Sequence, residues 1–259
     1  MDKKDPLFVG TLEKGMRIIE LFRGVHTPLG LSDIARRTDL EKSAAQRLCH
    51  TLFKLGFLER DDDTRRYRPG MRMLEMAFAY LIQDRLVELA MPRLIEVART
   101  FDTTVNLSVL DGVHIVYKTR IPHARQAYDT TLIGVRQPAL NTAAGLVMLA
   151  FRPPEDLEAV LAGWQPAAIT PHTTTDPDLI RAQVAAARND GYTITSNQLL
   201  LQEVGVAAPV LGDGGTAVAA VSMPVYMPEW TVDRVRDELV TVVTETARSV
   251  SSACSAAKL

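Results

Sequence analysis

The side chains best suited to chemistry lie on one face of a short predicted helix. At 100° per residue, a helix over residues 43–55 gathers five polar residues on one side: Ser43, Gln46, Arg47, His50 and Lys54. The fork of Arg47 and the amide of Gln46 match guanine and adenine edges, and Lys42 and Ser43 suit phosphate oxygens. The pattern predicts a face that contacts DNA.

The opposite side of the same helix is apolar and supplies its packing surface. The predicted buried positions are Ala45, Leu48, Cys49, Leu52 and Leu55. Ser43 is a candidate N-cap through its hydroxyl, and Gly56 is the residue type that ends a helix at positive φ. We therefore expect about three turns of helix.

A hairpin rich in arginine is predicted directly after this helix. Residues 57–60 and 65–68 read as two strands, and residues 61–64 between them carry the sequence DDDT, which favours a turn. Arg65 and Arg66 of the second strand are candidates for phosphate contacts. A hairpin in this position, directly after a helix, has the form of a wing.

Two further helices are predicted upstream of the polar face. In LSDIARRTDL, Ser32 is the expected N-cap and a candidate DNA contact, Leu31, Ile34 and Ala35 form the buried side, and residues 38–40 form a tight turn. In TLEKGMRIIELFRG, the expected inward residues are Leu12, Met16, Ile19 and either Phe22 or Leu21. Three helices and a wing predict a winged helix-turn-helix.

A polar helix face has a second explanation, because every amphipathic helix has one and most are simply solvated. The conjunction favours DNA: a turn-coupled helix pair, a polar face and an arginine hairpin fall within about 60 residues. The charge distribution agrees weakly. The first 70 residues hold 14 Lys+Arg against 11 Asp+Glu, and the remainder holds 15 against 20, although the whole chain has a net charge of −2.

These segments resemble the IclR family of bacterial transcriptional regulators. TLEKGMRIIELF, LSDIARRTDLEKSAAQRLCHTLFKLGFLER and YRPG are similar to the family's N-terminal domain. TFDTTVNLSVLDGVHIVYKTR, PALNTAAGLVMLAF, the segment ending at Tyr192, GVAAPVLGDGGTAVAAVSM and a long final helix follow in the family's order. The resemblance covers nearly the whole chain.

The second half is predicted to be an α+β domain with an antiparallel sheet. A linker helix over residues 71–83 is followed by a helix over 86–100 and a hairpin around Asp111 and Gly112. Further helices are predicted at 142–150, 155–162 and 178–189, and strands at 192–197, 206–211 and 217–225. A long helix is predicted at 232–253. We therefore expect a multidomain α+β chain: a winged helix-turn-helix (1–70), a linker helix (71–84) and a GAF-like effector-binding and oligomerisation domain (85–259).

No residue pattern indicates catalysis, a metal site or a cofactor. The five histidines lack metal-ligand spacing, and the carboxylates of Asp102, Asp111 and Asp129 are scattered among turns and strands. The run GDGG at 212–215 lacks the Lys-Ser/Thr of a phosphate loop and reads as a hairpin turn. We expect a protein that is not an enzyme.

Composition and termini indicate a cytoplasmic protein without a membrane segment. At 259 residues and 47% hydrophobic content the chain suits two globular domains. Cys49 and Cys254 lie far apart among apolar neighbours, as expected for reduced, packed thiols. The N-terminus lacks the apolar run of a signal peptide, and the most apolar late stretch is interrupted by GDGG.

The resemblance implies a pocket for a small organic or aromatic acid. It assigns the pocket to six positions: Asn141, Thr142, Ala143, Ala144, Asn197 and Ser222. The amides of Ala143 and Ala144 at a helix start are donors suited to a carboxylate, although Thr142 as a simple helix cap explains the motif equally well. The chain departs from the family pattern at residues 195–198, at Gly205-Val206 and at Leu146, so the ligand stays open.

Three functions follow in order of preference. The first is a ligand-responsive repressor or activator that binds a pseudo-palindromic operator in double-stranded DNA as a homodimer or homotetramer. The second is a nonspecific or architectural DNA binder whose second domain only oligomerises. The third, an enzyme with a partner-binding helical domain, lacks any acid/base constellation.

Overall fold

The computed structural model describes residues 6–123 and 133–258 and divides into two compact units, residues 1–83 and 84–259. The boundary falls between Gln83 and Asp84, so the predicted linker helix belongs to the first unit. No helix among the described residues has the length and apolarity that crossing a bilayer requires.

The first unit is a three-helix arrangement closed by a small hairpin. Its first three helices are α1 (Gly10–Leu21), α2 (Leu31–Thr38) and α3 (Lys42–Lys54). Asp39, in the left-handed region at φ 53°, makes the tight turn between α2 and α3, and Gly56 at φ 79° ends the α3 segment. Ile18, Ile34, Cys49 and Leu58 are almost fully buried and form the centre of the core. The helix-turn-helix expectation is thus confirmed.

The inward face predicted for α1 was wrong in part. Leu12 and Met16 are 65% and 47% exposed, whereas Ile18 and Phe22 are buried. Gly15 lies on the inner side, where an added Cβ would sit 3.9 Å from Leu48. Because α1 carries apolar residues on both sides, periodicity alone did not identify the side that packs.

Two predicted helix caps and one predicted core residue were also wrong. Gly30 and Glu41 occupy the N-cap positions of α2 and α3, and neither helix has a side-chain cap. Ser32 and Ser43 lie two residues past the N-cap positions, inside the first turn, and so cannot serve as N-caps. Leu55 follows the end of α3 and is 50% exposed, because the chain has already turned away from the core.

The wing consists of β1 (Leu58–Arg60) and β2 (Tyr67–Pro69), paired antiparallel with Arg60 opposite Tyr67. Both strands are shorter than predicted. The turn is held by Asp61, whose Oδ1 accepts 2.7 Å hydrogen bonds from the Thr64 amide and hydroxyl. Tyr67 also bridges to Leu29, which ties the hairpin to the segment before α2.

A close backbone contact joins the end of α3 to the end of the wing. The Gly70 amide donates to the Phe57 carbonyl at 2.9 Å, and a Cβ on Gly70 would overlap the carbonyl of Gly56. Helix α4 (Arg72–Ile82) starts two residues later, with the Arg72 amide 3.4 Å from the same Gly56 carbonyl. Only glycine at position 70 permits this approach.

The second unit alternates helices with the strands of one sheet. Its first half contains α5 (Arg85–Thr100), β3 (Val105–Asp111), β4 (His114–Ile121), β5 (Arg136–Pro138), α6 (Ala143–Ala150) and α7 (Pro154–Gly163). Its second half contains α8 (Pro177–Asp190), β6 (Thr193–Ser196), β7 (Glu203–Leu211), β8 (Ala217–Tyr226), α9 (Val232–Glu238) and α10 (Val240–Ala256).

Over the described residues, six strands form an antiparallel sheet in the order β5-β4-β3-β8-β7-β6. One face, with Leu107, Val206 and Val221, packs against α5 and α10. The other face carries small residues such as Ala207 and Ala220, which allow α6 to lie directly on the sheet. The expected α+β class with an antiparallel sheet is confirmed.

Three details of this unit differ from the prediction. Strand β5 was missed because three residues show no alternation. The final helix is divided at Leu239 into α9 and α10, and β7 begins at Glu203 rather than at residue 206. The GDGG segment is a hairpin turn as expected, with Gly214 and Gly215 at positive φ.

Candidate functional site

The polar face of α3 is exposed, as its helical spacing predicts. Ser43, Gln46, Arg47, His50 and Lys54 all face solvent, opposite the buried Ala45, Cys49 and Leu52. The first four of them line a shallow concavity between α3 and the wing, whose lining also includes Thr51, Arg60 and Tyr67. The structure thus brings donors and acceptors for base edges onto one accessible surface.

The other predicted DNA contacts lie around this concavity rather than in it. Lys42 and Ser32 are exposed in the first turns of α3 and α2. Arg65 is exposed at the wing turn with φ 57°. Arg66 donates from Nη1 to the Pro28 carbonyl at 3.0 Å, so part of its hydrogen-bonding capacity stays within the domain.

Arg60 of β1 also lines the concavity, although the prediction singled out only Arg65 and Arg66 among the wing arginines. The signal that identifies it is the alternation of the strand: Leu58 is buried, Glu59 pairs outward with Arg68, and Arg60 returns to the side of α3. A three-residue strand is too short for that alternation to be recognised before the register is known.

The second site is a cavity of about 320 Å³ between the sheet and the start of α6. Five of the six positions that the resemblance implied line it: Asn141, Thr142, Ala143, Ala144 and Ser222. Apolar walls come from Ile115, Ile169, Leu199, Leu200 and Pro224. A concave, partly apolar cavity with converging polar groups is the usual form of a small-molecule site.

The start of α6 presents backbone donors to this cavity. Thr142 caps the helix, since its Oγ1 accepts from the Gly145 amide at 3.1 Å. Ala143 and Ala144, the first two helical residues, have no hydrogen-bond acceptor for their amides among the described residues. Gly145 permits the tight bend before them, because a Cβ there would overlap the backbone of Ala139. The start of α6 therefore has both a side-chain cap, from Thr142, and two adjacent amides that can donate to a ligand.

Small and polar residues of the sheet lie beneath the start of α6. Asn106 on β3 lies opposite Ser222 on β8, and both are almost fully buried. A Cβ on Gly205 would come within 3.1 Å of Thr195 Oγ1 and 3.7 Å of the Ala143 side chain. A strand uses glycine where another group approaches the backbone closely, so Gly205 lets Thr195 and the start of α6 lie near the strand at a position that lines the cavity.

The cavity also has a polar group of residues that sequence reasoning missed. Arg120 donates from Nη1 to Asn106 Oδ1 at 3.1 Å, and the Tyr226 hydroxyl lies 3.4 Å from Glu203 Oε2. These residues come from four strands, β3, β4, β7 and β8. No local pattern could have identified them, because only the strand order brings them together.

Asn197, the sixth position, does not line the cavity. It adopts φ 56°, its Oδ1 accepts from the Gln202 amide at 2.6 Å, and its carbonyl accepts from the Thr170 hydroxyl. Asn197 therefore shapes the loop that carries Leu199 and Leu200 into the cavity wall. Its contribution to the site is indirect.

The scattered carboxylates have other partners. Asp102 lies 3.2 Å from His123 Nε2, and Asp111 pairs with Arg136. Asp129 lies outside the described residues. Across residues 6–123 and 133–258, no group of His, Cys, Asp and Glu is arranged to hold a metal ion.

A winged helix-turn-helix followed by an α+β unit with a lined cavity defines the class of two-domain transcriptional regulators. The comparisons agree. Residues 11–62 match the IclR helix-turn-helix domain, and residues 78–252 match the C-terminal domain of bacterial IclR transcriptional regulators.

Similar proteins extend over most of the chain. It is 32% identical over 247 residues to the glycerol operon regulatory protein of Streptomyces coelicolor (94% of this chain, 95% of that protein). It is 30% identical over 227 residues to the regulator KipR of Bacillus subtilis (86% and 89%). An IclR homolog from Microbacterium hydrocarbonoxydans, solved with 4-hydroxybenzoate, matches with a TM-score of 0.79 and 27% identity (94% and 98%).

The chain therefore belongs to the IclR family of bacterial transcriptional regulators. Its first unit is the DNA-binding helix-turn-helix domain and its second is the effector-binding domain.

Proposed function

We propose that this regulator binds a pseudo-palindromic operator as a homodimer or homotetramer and senses a small organic or aromatic acid. The observation that carries the proposal is the cavity at the start of α6, where the amides of Ala143 and Ala144 meet an apolar wall. A regulator that only bends or coats DNA has no need of such a cavity. The alternative of a nonspecific DNA binder is therefore second.

On the DNA side, α3 reads base edges through Gln46 and Arg47, with His50 at the next turn of the helix. Phosphates border the major groove, and the residues placed to contact them are Lys42, Ser43, Lys54, Ser32, Arg65 and Arg66. Because DNA is the partner, we place the protein in the cytoplasm.

On the effector side, the ligand's carboxylate accepts hydrogen bonds from Ala143 and Ala144 at the positive end of α6. The cavity volume of about 320 Å³ lies near the lower end for small-molecule sites, which favours a ligand of roughly one ring. Ser222 and the Tyr226–Glu203 pair offer partners for a second polar group. The 4-hydroxybenzoate in the Microbacterium homolog is a ligand of this size and charge.

Assembly is supported by apolar side chains that the first unit leaves uncovered. No residue of α4 is buried in this chain, and Leu74, Phe78 and Ile82 are each more than 60% exposed. Leu12 and Met16 of α1 are exposed as well. A face of this kind between two copies would position two α3 helices on two half-sites.

The DNA part is tested by Gln46→Ala and Arg47→Ala, with affinities measured for selected operator sequences and for scrambled duplexes. Each change should cost about 1–3 kcal/mol on the operator and relax preference at one position of each half-site. Equal affinity of the wild type for operator and scrambled DNA would favour the nonspecific binder instead.

The effector part is tested by thermal shift with a panel of benzoates and short aliphatic acids. A ligand that binds only the folded state should raise Tm as its concentration exceeds Kd. Gly205→Val is the matched control, because its side chain fills the space between Thr195 and Ala143 and should abolish the shift. A wild type that responds to no acid, or a Gly205→Val variant that responds equally, would contradict the assigned pocket.

A further inference from the structure

Arg60 is the arginine of the wing that faces α3. Its strand neighbour Glu59 pairs outward with Arg68, while Arg60 points toward the core side opposite the buried Tyr67. Its guanidinium carbon lies 5.3 Å from the centroid of the Phe53 ring, in the last turn of α3. This stacking connects the base of the wing to the DNA-facing helix.

The guanidinium of Arg60 is held in place without being neutralised. Among the described residues it has no carboxylate or hydrogen-bond partner, and its Nε is buried without an acceptor. Two other wing arginines differ: Arg68 lies 2.8 Å from Glu59, and Arg66 donates to the Pro28 carbonyl. The buried Nε is out of reach of a ligand, so the guanidinium can bind one only through its Nη groups.

The position of Arg60 indicates what that ligand is. Arg60 lines the concavity that also contains Gln46, Arg47 and His50. A duplex whose major groove receives α3 brings a sugar-phosphate strand over the edge of that helix next to the wing. A phosphate supplies both the negative charge and the planar oxygen acceptors that a guanidinium fork matches.

We propose that Arg60, oriented by its stack on Phe53, is a phosphate-binding residue of the DNA interface. This inference rests on the proposed DNA-binding function and adds a contact at the base of the wing, about 5 residues before the arginines at its turn. The contact carries no sequence information and contributes equally on any duplex. It also accounts for an arginine at a half-buried strand position, where an apolar residue would pack more simply.

The experiment uses the full-length protein and a random-sequence duplex of about 30 base pairs, because a phosphate contact needs no operator. Arg60→Gln keeps part of the side-chain stem over Phe53 but removes the charge. Arg60→Lys keeps the charge and loses the planar fork. Arg68→Gln is the matched control, since Arg68 is a wing arginine already paired with Glu59.

Binding is measured by fluorescence anisotropy at several salt concentrations, and Tm is recorded for each variant. Arg60→Gln should weaken binding about tenfold. It should also flatten the plot of log K against log salt by about 0.9 per protomer bound. Arg60→Lys should retain the wild-type slope with weaker binding, and Arg68→Gln should match the wild type.

A purely structural Arg60 would give a different result. Arg60→Gln and Arg60→Lys would then lower Tm while salt slope and affinity stayed at wild-type values, which overturns the proposal. A wild type that binds neither random nor selected duplexes would reject the DNA-binding function itself, and the inference with it. The two failures are therefore distinguishable.

Discussion

The two candidate sites of this protein use different chemical groups, side chains in one and the backbone in the other. The α3 face consists of exposed side chains on a helix, so its chemistry resides in residues such as Gln46 and Arg47. The cavity instead uses backbone amides of α6, a helix in which every residue is buried. Replacing a side chain should damage the first site directly, whereas the second should fail mainly when its packing is disturbed.

The largest effect that would sharpen this contrast is expected at Gly145. Gly145→Val forces a side chain into the Ala139 backbone and should lower the free energy of unfolding of the second unit by about 3 kcal/mol. Urea unfolding followed by tryptophan fluorescence measures it, because Trp164 and Trp230, the chain's two tryptophans, both lie in that unit.

Ala162→Val places the same final side chain at an exposed position of α7 and is the control for Gly145→Val. It should change stability by less than about 1 kcal/mol, the range of helix propensity. Equal effects of the two substitutions would show that the packing of α6 is not what supports the cavity.

A smaller effect separates the two sides of α3. Leu52→Ala removes a buried side chain and should cost about 2 kcal/mol in the first unit, whereas Leu55→Ala, at a half-exposed position, should cost less than about 1 kcal/mol. Far-UV circular dichroism in urea gives the two values. An unchanged tryptophan transition in both variants would localise the loss to the first unit.

Thiol labelling compares the resistance of the two units to unfolding in the wild-type protein. Cys49 lies in the first unit and Cys254 in the second, and burial raises the pKa of both thiols, that of Cys49 to about 11. Because the folded state keeps the Cys49 proton, its contribution to stability is present below pH 9.0 and is lost as pH rises through about 11.

At pH 8 we therefore expect almost no reaction of either thiol with maleimide in the folded protein. As urea increases, Cys49 should react first, because the buried core of the first unit is smaller than that of the second. Peptide mapping of the labelled sites measures the order. Simultaneous labelling would mean that the units unfold together.

The smallest expected effect concerns the wing turn. Hydrogen bonds from Thr64 lower the pKa of the Asp61 carboxyl below its ordinary 3.8. The stabilisation of the turn is thus present above pH 3.8 and is lost as the pH falls through the lowered value. An NMR titration should show the Asp61 pKa rising toward 3.8 in Thr64→Ala; an identical titration in both proteins would exclude this role of Thr64.

The same contrast explains which residues the sequence could predict. Ser43, Gln46, Arg47 and His50 lie within eight residues of one helix, so a single period places them on one face. The caps at Ser32 and Ser43 were wrong because a helix start is uncertain by one or two residues. The inner side of α1 was wrong because apolar residues also cover its outer side.

In the second unit, the turns and most strands followed from local pattern, but the cavity lining did not. The polar lining residues span more than 100 positions of the chain, from Asn106 to Tyr226, and only the order of the strands brings them together with Arg120 and Glu203. The helix α6 itself followed from local pattern, but the ligand-binding role of its first amides could be predicted only from the resemblance, because no residue type marks a backbone amide.

The backbone contact between Gly56 and Gly70 has a mechanical consequence for the DNA-binding domain. Most adjoining helices touch through side chains, which can rotate and absorb small displacements. Here the segment after α3 and the start of α4 are joined by main-chain hydrogen bonds, since the Gly70 amide donates to the Phe57 carbonyl and the Arg72 amide to the Gly56 carbonyl. Because main-chain atoms rather than rotatable side chains join these segments, we expect a rotation of α4 to be transmitted to α3 and to its polar face.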